Sequence, residues 1–191
     1  MYLLEQQDSI DLFFSDECAF NLTPSIPYGW QPIGKQLTIR SAKDRVTNLF
    51  GLLSVTGKLK VYSTLENVNS NFIIECIDEI VETITRPTVI VLDNAPWHKA
   101  QAVLDKQGEW NEKDLYLFFL PVYSPHLNPI ETLWRKIKYE WLKATDYESA
   151  RLLREKMHGL LQMKVIDLKR INFTISLGCY WCFGGLVEGL R

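Results

Sequence analysis

Two hydrophobic periods alternate along the chain and predict its strands and helices. Short apolar or alternating runs are typical of strands. Apolar residues spaced three and four positions apart are typical of helices that pack one face on a core. The predicted strands are residues 10–15, 46–55, 58–65, 89–92 and 115–120, and the predicted helices are residues 70–83, 99–107, 128–141 and 147–164.

The order of these elements predicts the fold class. Three strands precede the first helix, and strands and helices then alternate before two final helices. Thr56-Gly57 between the second and third strands predicts a two-residue hairpin turn, although threonine is poorly suited to positive φ. The first three strands should therefore be consecutive and antiparallel. We expect an α/β domain with a mixed five-stranded sheet and helices on both faces, rather than a sandwich or a repeated βαβ unit.

Composition narrows the class of protein. The chain has 191 residues, which suits one domain, with 47% hydrophobic and 23% charged residues. A net charge of −2 argues against a strongly basic protein that coats nucleic acid, but it leaves room for a local basic face. No signal peptide is recognised at the start. The longest uncharged segment, residues 171–187, is too short and too polar to span a membrane.

Cysteine placement argues against a disulfide scaffold and disfavours a zinc site. The four cysteines are scattered, and only Cys179 and Cys182 form a C-x-x-C pair. A structural zinc site would need a second pair or nearby histidines.

Three carboxylates occupy special positions in the predicted elements. Asp16 follows the first strand, Asp93 follows the buried strand 89–92, and Glu131 lies in the first turn of a helix. The carboxyl ends of strands in open α/β sheets line the ligand-binding crevice. Each residue also has a structural interpretation: the two aspartates can simply form turns, and Glu131 can complete a capping box with Asn128 or pair with Arg135.

If these three carboxylates lie close together in the fold, their mutual charge repulsion must be offset. Like charges about 4 Å apart repel by about 4 kcal/mol per pair at an effective dielectric near 20. Hard divalent cations with oxygen ligands relieve such repulsion, and two of them can activate a water or a 3′-hydroxyl at a phosphodiester. No phosphate-binding glycine motif is present. Relief of repulsion predicts that Asp93→Asn leaves the metal-free fold intact or slightly more stable.

Four motifs resemble those of bacterial insertion-sequence transposases of the mariner superfamily, over roughly residues 10–142. That resemblance implies an RNase H-like fold that holds an Asp-Asp-Glu triad with Mg²⁺ or Mn²⁺. The motifs are Asp16-Glu17, the segment 28–34, the D-N-A-P-W-H segment that begins at Asp93, and the L-P-V-Y-S-P-H-L-N-P-I-E-T-L-W segment that contains Glu131.

The resemblance assigns roles to individual residues. Asp16, Asp93 and Glu131 would be the catalytic, metal-binding triad, with two ions, while Asn94 and His98 would support it. The implied activity is cleavage of phosphodiesters at element ends by water, followed by joining of the freed 3′-hydroxyl to target DNA. A related endonuclease without strand transfer remains an alternative, as does a catalytically silent remnant that acts only by protein association.

The helix after Glu131 carries basic residues that can contact DNA. Arg135 and Lys138 lie four and seven positions after Glu131, on its side of an ideal helix, and phosphate contact is expected there. A solvated helix face is the alternative interpretation.

The chain also departs from the family. Relatives carry helix-turn-helix modules before the catalytic domain, and no such module is recognised here. We expect a catalytic domain at residues 1–165, a tail of uncertain structure at residues 166–191, and a separately encoded DNA-binding half as a partner. The resemblance further implies a homodimer in the complex with element-end and target DNA, in the cytoplasm at the bacterial nucleoid, without membrane contact.

Overall fold

The structure is a computed structural model that describes residues 1, 4–5, 7–25, 32–34, 45–122 and 124–162. Five strands form one mixed sheet in the order β3-β2-β1-β4-β5. β1, β2 and β3 are antiparallel neighbours, whereas β4 runs parallel to β1 and β5 runs parallel to β4. The strands are β1 (Asp11–Asn21), β2 (Arg45–Ser54), β3 (Leu59–Thr64), β4 (Thr88–Leu92) and β5 (Leu115–Phe119).

Helices cover both faces of this sheet, which confirms the predicted mixed α/β architecture. One face packs α1 and α2 against side chains such as Phe50, Leu52 and Ile90, and the other packs α3 and α4 against Leu49 and Leu53. This division follows from strand alternation, since successive side chains point to opposite faces. The helices are α1 (Ser70–Val81), α2 (Gln101–Glu112), α3 (Pro129–Lys136) and α4 (Ala150–Leu161).

Helix ends depart from the hydrophobic pattern where capping or packing intervenes. The side chain of Asn69 accepts a hydrogen bond from the Phe72 backbone and caps α1, as the sequence allows. α2 runs beyond its predicted end at residue 107, because Trp110 is buried against α1 and its indole donates to Asp78. α3 passes into a π-helical turn, Ile137–Trp141, instead of continuing as an α-helix.

The β2–β3 turn avoids the conformation that threonine disfavours. Gly57 alone takes positive φ there, at 86°, and its N–H donates to the Ser54 carbonyl at 3.0 Å. Thr56 keeps negative φ. The predicted strain at threonine is therefore absent, because the left-handed position falls on glycine.

A close approach between α3 and β2 depends on Gly51. A Cβ built on Gly51 would lie 2.8 Å from Ile130 Cδ1 and closer still to Trp134 Cζ2. Trp134 therefore lies directly on the strand backbone. Because Gly51 pairs with Asp16 in the sheet, this contact fixes the height of α3 above the strand that carries Asp16.

The centre of the sheet opens where β1 and β4 part. Their parallel pairing ends at Phe14 and Val91, after which β1 continues along β2 to Asn21. Asp16 therefore lies inside a strand, and the prediction that it follows the strand's end is wrong. The antiparallel hairpin extends β1 beyond the apolar run, so the polar residues that ended the predicted strand are still paired with β2.

Several features used in the predictions lie outside the described residues: residues 28–31 of the segment 28–34, the Cys179–Cys182 pair and the proposed boundary at 165. Among the helices that the structure describes, none is long and apolar enough to cross a membrane.

Candidate active site

The three predicted carboxylates lie near the opening between β1 and β4. Asp16 follows Leu12 and Phe14 on the face that also carries α3, and Glu131 lies in the first turn of α3. Asp93 directly follows β4, and with Glu131 it lines an open pocket of about 410 Å³. The structure thus brings together three residues that are far apart in the sequence.

Charge interactions and burial change the pKa values of two of these groups. Burial, followed by the charges of Glu17, Glu131 and Asp93, raises the pKa of Asp16 from 3.8 to about 8. Burial and the charge of Asp93 also raise the pKa of Glu131. The shift at Asp16 favours its protonated form at neutral pH when no metal is bound.

Asp93 has the opposite environment. A hydrogen bond with His98 outweighs the effect of partial burial and, with a second bond from the Ala95 backbone, lowers the pKa of Asp93. His98 Nδ1 lies 2.8 Å from Asp93 Oδ1, and the Ala95 N–H donates to that same oxygen at 2.9 Å. Among the described residues, Asp93 Oδ2 has no hydrogen-bond partner, so it is the oxygen available to a ligand in the pocket.

His98 connects Asp93 to a fourth carboxylate. Its Nε2 lies 2.6 Å from Glu17 Oε1, and the ring is fully buried. Burial alone would lower the pKa of His98, but hydrogen bonds and charge interactions with Asp93 and Glu17 together raise it to about 9. The predicted supporting role of His98 thus has a geometric basis, and Glu17 is a contact that sequence reasoning missed.

Two asparagines tie the segments of the site together. Asn94 Nδ2 donates to the Leu120 carbonyl at 2.6 Å, which joins the turn after β4 to the end of β5. Asn128 Nδ2 donates to the Ser15 carbonyl at 2.9 Å, which joins the start of α3 to β1. Asn94 was predicted as a supporting residue, whereas Asn128 was predicted only as a helix cap.

The helix-cap interpretation of Glu131 does not match this geometry. Asn128 occupies the N-cap position, but α3 has no side-chain capping hydrogen bond. Within the described part of the chain, Glu131 also forms no ion pair with Arg135. Its half-buried carboxylate is therefore left to the pocket, beside Asp93.

The donor chemistry of this site fits a hard divalent cation, since the available groups are carboxylate oxygens around an open pocket. No three Asp, Glu, His or Cys side chains among the described residues lie close enough together to enclose a metal ion as they stand. Asp16, Asp93 and Glu131 thus share an electrostatic field without forming a closed ligand shell.

The two predicted basic contacts have different surroundings. Arg135 is exposed. Lys138 lies in the π-helical turn, with Nζ 5.3 Å from the centre of the Phe20 ring. It also opposes the effect of burial on the Cys18 thiol, whose pKa is nevertheless raised to about 11. The prediction that both residues share one face assumed a regular α-helix, which ends at Lys136.

The fold and site define a class of protein: an α/β domain of RNase H-like topology with clustered acidic residues at the centre of its sheet. A family model described as DDE superfamily endonuclease matches residues 11–154, and the chain belongs to that family. The DDE assignment that the motifs indicated is thereby confirmed, and the class of enzyme is a DDE-type endonuclease. No curated protein matches the sequence significantly.

Solved structures confirm the fold. The chain is similar to the Mos1 transposase paired-end complex with left transposon end, with 16% identity, a TM-score of 0.57, and coverage of 87% of this chain and 53% of the other. The Mos1 mariner paired end complex with Mn is 17% identical with a TM-score of 0.57, and the match covers 90% of this chain and 55% of the other. The Mos1 Strand Transfer Complex is 17% identical with a TM-score of 0.55, and the match covers 89% of this chain and 53% of the other. The chain therefore spans about half the length of these solved relatives.

Proposed function

We propose that this chain is the catalytic domain of a metal-dependent DNA transposase, which cuts phosphodiesters at element ends and joins a 3′-hydroxyl to target DNA. The observation that supports this proposal most directly is that Asp93 and Glu131 line one pocket, and that the charges of both act on the buried Asp16. The family match adds the reaction class, phosphodiester cleavage. The solved relatives named above are a Mos1 transposase paired-end complex with left transposon end, a Mos1 mariner paired end complex with Mn, and a Mos1 Strand Transfer Complex.

Asp16, Asp93 and Glu131 would hold the divalent ions, Mg²⁺ or Mn²⁺. Two such ions supply activation of the attacking oxygen and stabilisation of the leaving oxygen when they are bound. The chain's own contribution is to present oxygen ligands at fixed positions: Asp16 from a central strand, Asp93 from the end of β4, and Glu131 from a helix start. Displacement of the Asp16 proton is a further requirement, because the folded site raises its pKa to about 8.

The groups around the triad hold these ligands in place. Asn94 fixes the turn after Asp93 through the Leu120 carbonyl, and His98 fixes one Asp93 oxygen. Arg135 is the better placed of the two basic residues for a DNA phosphate, since its side chain is exposed. Lys138 would contribute through charge while its stem covers Phe20.

Transposition by this domain would also require partners. A module that reads the element ends would act in trans or from another part of the complete protein, and a homodimer would pair the two ends. Residues 1–165 would form the catalytic unit. Its place of action would be DNA in the cytoplasm.

The test is a pair of assays on the full chain with Mg²⁺ or Mn²⁺: nicking of supercoiled plasmid, and joining of a 3′-hydroxyl duplex to that plasmid. Asp16→Asn, Asp93→Asn and Glu131→Gln should each abolish both products. The matched control, Glu109→Gln, removes an exposed carboxylate that pairs with Lys106 and should retain activity.

Each alternative has its own result in these assays. Nicking without any joined product would favour an endonuclease without strand transfer. Absence of both products, together with binding to a full-length transposase, would favour a catalytically silent associate. Unchanged cleavage by Asp93→Asn would overturn the triad assignment.

A further inference from the structure

Glu17 lies next to Asp16 in the sequence but points to the opposite face of the sheet. Alternation along β1 places Glu17 on the face that carries Phe13 and Phe50, whereas Asp16 shares its face with Phe14. The Glu17 side chain is 14% exposed. A carboxylate this buried needs a partner. Its hydrogen-bond partner is His98, and Glu17 does not line the pocket that Asp93 and Glu131 share.

His98 transmits this contact to Asp93. Glu17 Oε1 lies 2.6 Å from Nε2, and Asp93 Oδ1 lies 2.8 Å from Nδ1, so both ring nitrogens have a carboxylate partner. The imidazole ring packs against Phe50, with 6.5 Å between ring centroids, and against Trp97 in a T-shaped arrangement, with 6.2 Å between ring centroids. A buried ring held at both nitrogens cannot turn without breaking a hydrogen bond, so its orientation is tied to that of Glu17.

We propose that Glu17 is a positioning residue for the metal-binding carboxylate of Asp93, acting through His98. This inference rests on the proposed function, since it assumes that Asp93 binds the metal. Glu17 orients the imidazole, the imidazole holds Asp93 Oδ1, and Asp93 Oδ2 is thereby directed to the pocket. Groups that orient a metal-binding side chain typically change metal affinity by about 10–100-fold when they are removed.

The competing explanation is purely structural: Glu17 would only satisfy a buried ring nitrogen. The chain offers a matched control for that role. Asp78 accepts a hydrogen bond of 2.7 Å from Nε1 of Trp110, whose side chain is buried on the same face of the sheet. Asp78→Ala therefore removes a carboxylate from a buried ring N–H, as Glu17→Ala does, but away from the triad.

Three variants of Glu17 separate geometry from charge. Glu17→Ala removes the acceptor. Glu17→Gln keeps an acceptor oxygen at the same reach without the negative charge. Glu17→Asp keeps the charge but shortens the side chain, so that it no longer reaches His98 Nε2. Because it is the milder change, Glu17→Asp also serves as the test if Glu17→Ala fails to fold.

The primary measurement is Mn²⁺ affinity of the full chain by electron paramagnetic resonance at fixed pH. Glu17→Ala and Glu17→Asp should weaken Mn²⁺ binding about 10–100-fold, Glu17→Gln should remain close to wild type, and Asp78→Ala should not change the affinity. Wild-type affinity in both Glu17→Ala and Glu17→Asp would overturn the positioning role and leave the proposed function standing.

A second measurement needs no metal. The ¹³C resonance of the Asp93 carboxyl group should shift in Glu17→Ala and Glu17→Asp but not in Asp78→Ala. If the wild type binds no Mn²⁺ and the resonance still shifts, the proposed function fails while the coupling of Glu17 to Asp93 stands. If neither metal binding nor a shift is observed, both are overturned.

Discussion

Asn128 Nδ2 donates a hydrogen bond of 2.9 Å to the Ser15 carbonyl, and it thereby joins the start of α3 to the residue before Asp16. Glu131 follows Asn128 within the first turn of α3. This hydrogen bond, together with the close contact of α3 at Gly51, therefore sets the distance between the first and third carboxylates of the site. Asn128 is almost fully buried, and its Oδ1 has no partner among the described residues.

We expect Asn128→Ala to weaken both the fold and the site. The buried Ser15 carbonyl loses its donor, which should lower the free energy of unfolding by about 1–3 kcal/mol. Denaturant unfolding measures this loss, and Mn²⁺ affinity should fall in parallel.

Asn69→Ala is the comparison for that variant. It removes the exposed cap of α1 and should cost about 0.5–2 kcal/mol without any effect on Mn²⁺ affinity. Equal metal affinity in Asn128→Ala and wild type would show that Asn128 does not set the carboxylate spacing.

Gly51→Ala should destabilise the protein, because its Cβ would overlap Trp134 and come within 2.8 Å of Ile130. Overpacking of this kind costs about 1–3 kcal/mol. Gly108→Ala should have the opposite sign: Gly108 lies within α2 with open space around its Cα, and alanine in a helix interior is favoured by about 0.5–1 kcal/mol. Thermal unfolding of the pair tests the predicted contrast, which equal shifts in melting temperature would contradict.

Asp16 and Asp93 should respond oppositely to replacement by asparagine in the absence of metal. The fold raises the pKa of Asp16 and lowers that of Asp93. Asp16→Asn should therefore stabilise the protein at pH 7. Asp93→Asn should destabilise it by about 1 kcal/mol, because a half-exposed, charge-assisted hydrogen bond to His98 is weakened. This revises the expectation from sequence that Asp93→Asn is neutral or stabilising, since the nearest partner of Asp93 is an imidazole.

The stability of the metal-free protein should fall as the pH rises from about 4 to about 8. The fold raises the pKa of Asp16 from 3.8 to about 8, so between these pH values Asp16 is protonated in the folded state and ionised in the unfolded state. The folded state therefore loses stability relative to the unfolded state as the pH rises through this range. Glu17, Glu131 and Asp93 are the acidic neighbours that produce the shift along with burial. Denaturant unfolding at several pH values should show a flatter profile for Asp16→Asn.

His98 also contributes to the fall in stability with rising pH, and Asp16→Asn does not remove that contribution. Its folded pKa, raised to about 9, contributes stability that is lost between its ordinary value of 6.5 and about pH 9. Asp16→Asn should therefore have a flatter profile than wild type from about pH 4 to about pH 8, with the slope from His98 remaining above pH 6.5. A profile identical to wild type in that interval would contradict the raised pKa of Asp16.

Metal should stabilise the wild type more at pH 8 than at pH 6, because binding must displace a proton from Asp16 at the lower pH. A ligand at 100 times its dissociation constant adds about 2.7 kcal/mol of stability. Thermal unfolding with millimolar Mn²⁺ should show this rise, and Glu131→Gln should reduce it. A rise that Glu131→Gln leaves unchanged would place the metal elsewhere.

The general architecture could be predicted because its signals are local. The apolar run of β4, the helical spacing of α1 and the Asn-Pro start of α3 each lie within one element, and the structure confirms them. The same locality explains the error at Asp16. The apolar pattern of β1 ends before Asp16, but pairing with β2 carries the strand on to Asn21.

The supporting contacts of the site could not be predicted, because they join residues that are distant in sequence. Glu17 and His98 are separated by 81 positions, and Asn128 and Ser15 by 113. No spacing rule connects such pairs. The position of Lys138 could not be predicted for a different reason. It lies in a π-helical turn, where side chains point in directions that differ from those of a regular α-helix.

The parallel pairing of β1 with β4 has a consequence for how the enzyme is made. β1, β2 and β3 pair antiparallel in sequence order, with a tight turn between β2 and β3, but the Ser15 hydroxyl donates to the Val91 carbonyl across 76 positions. Such long-range closure is slow compared with hairpin formation. On the ribosome, a growing chain that stops before β4 would contain Asp16 without Asp93 or Glu131. A prematurely terminated chain would therefore lack one or two of the three carboxylates of the proposed triad, which is complete only after Glu131 has been synthesised.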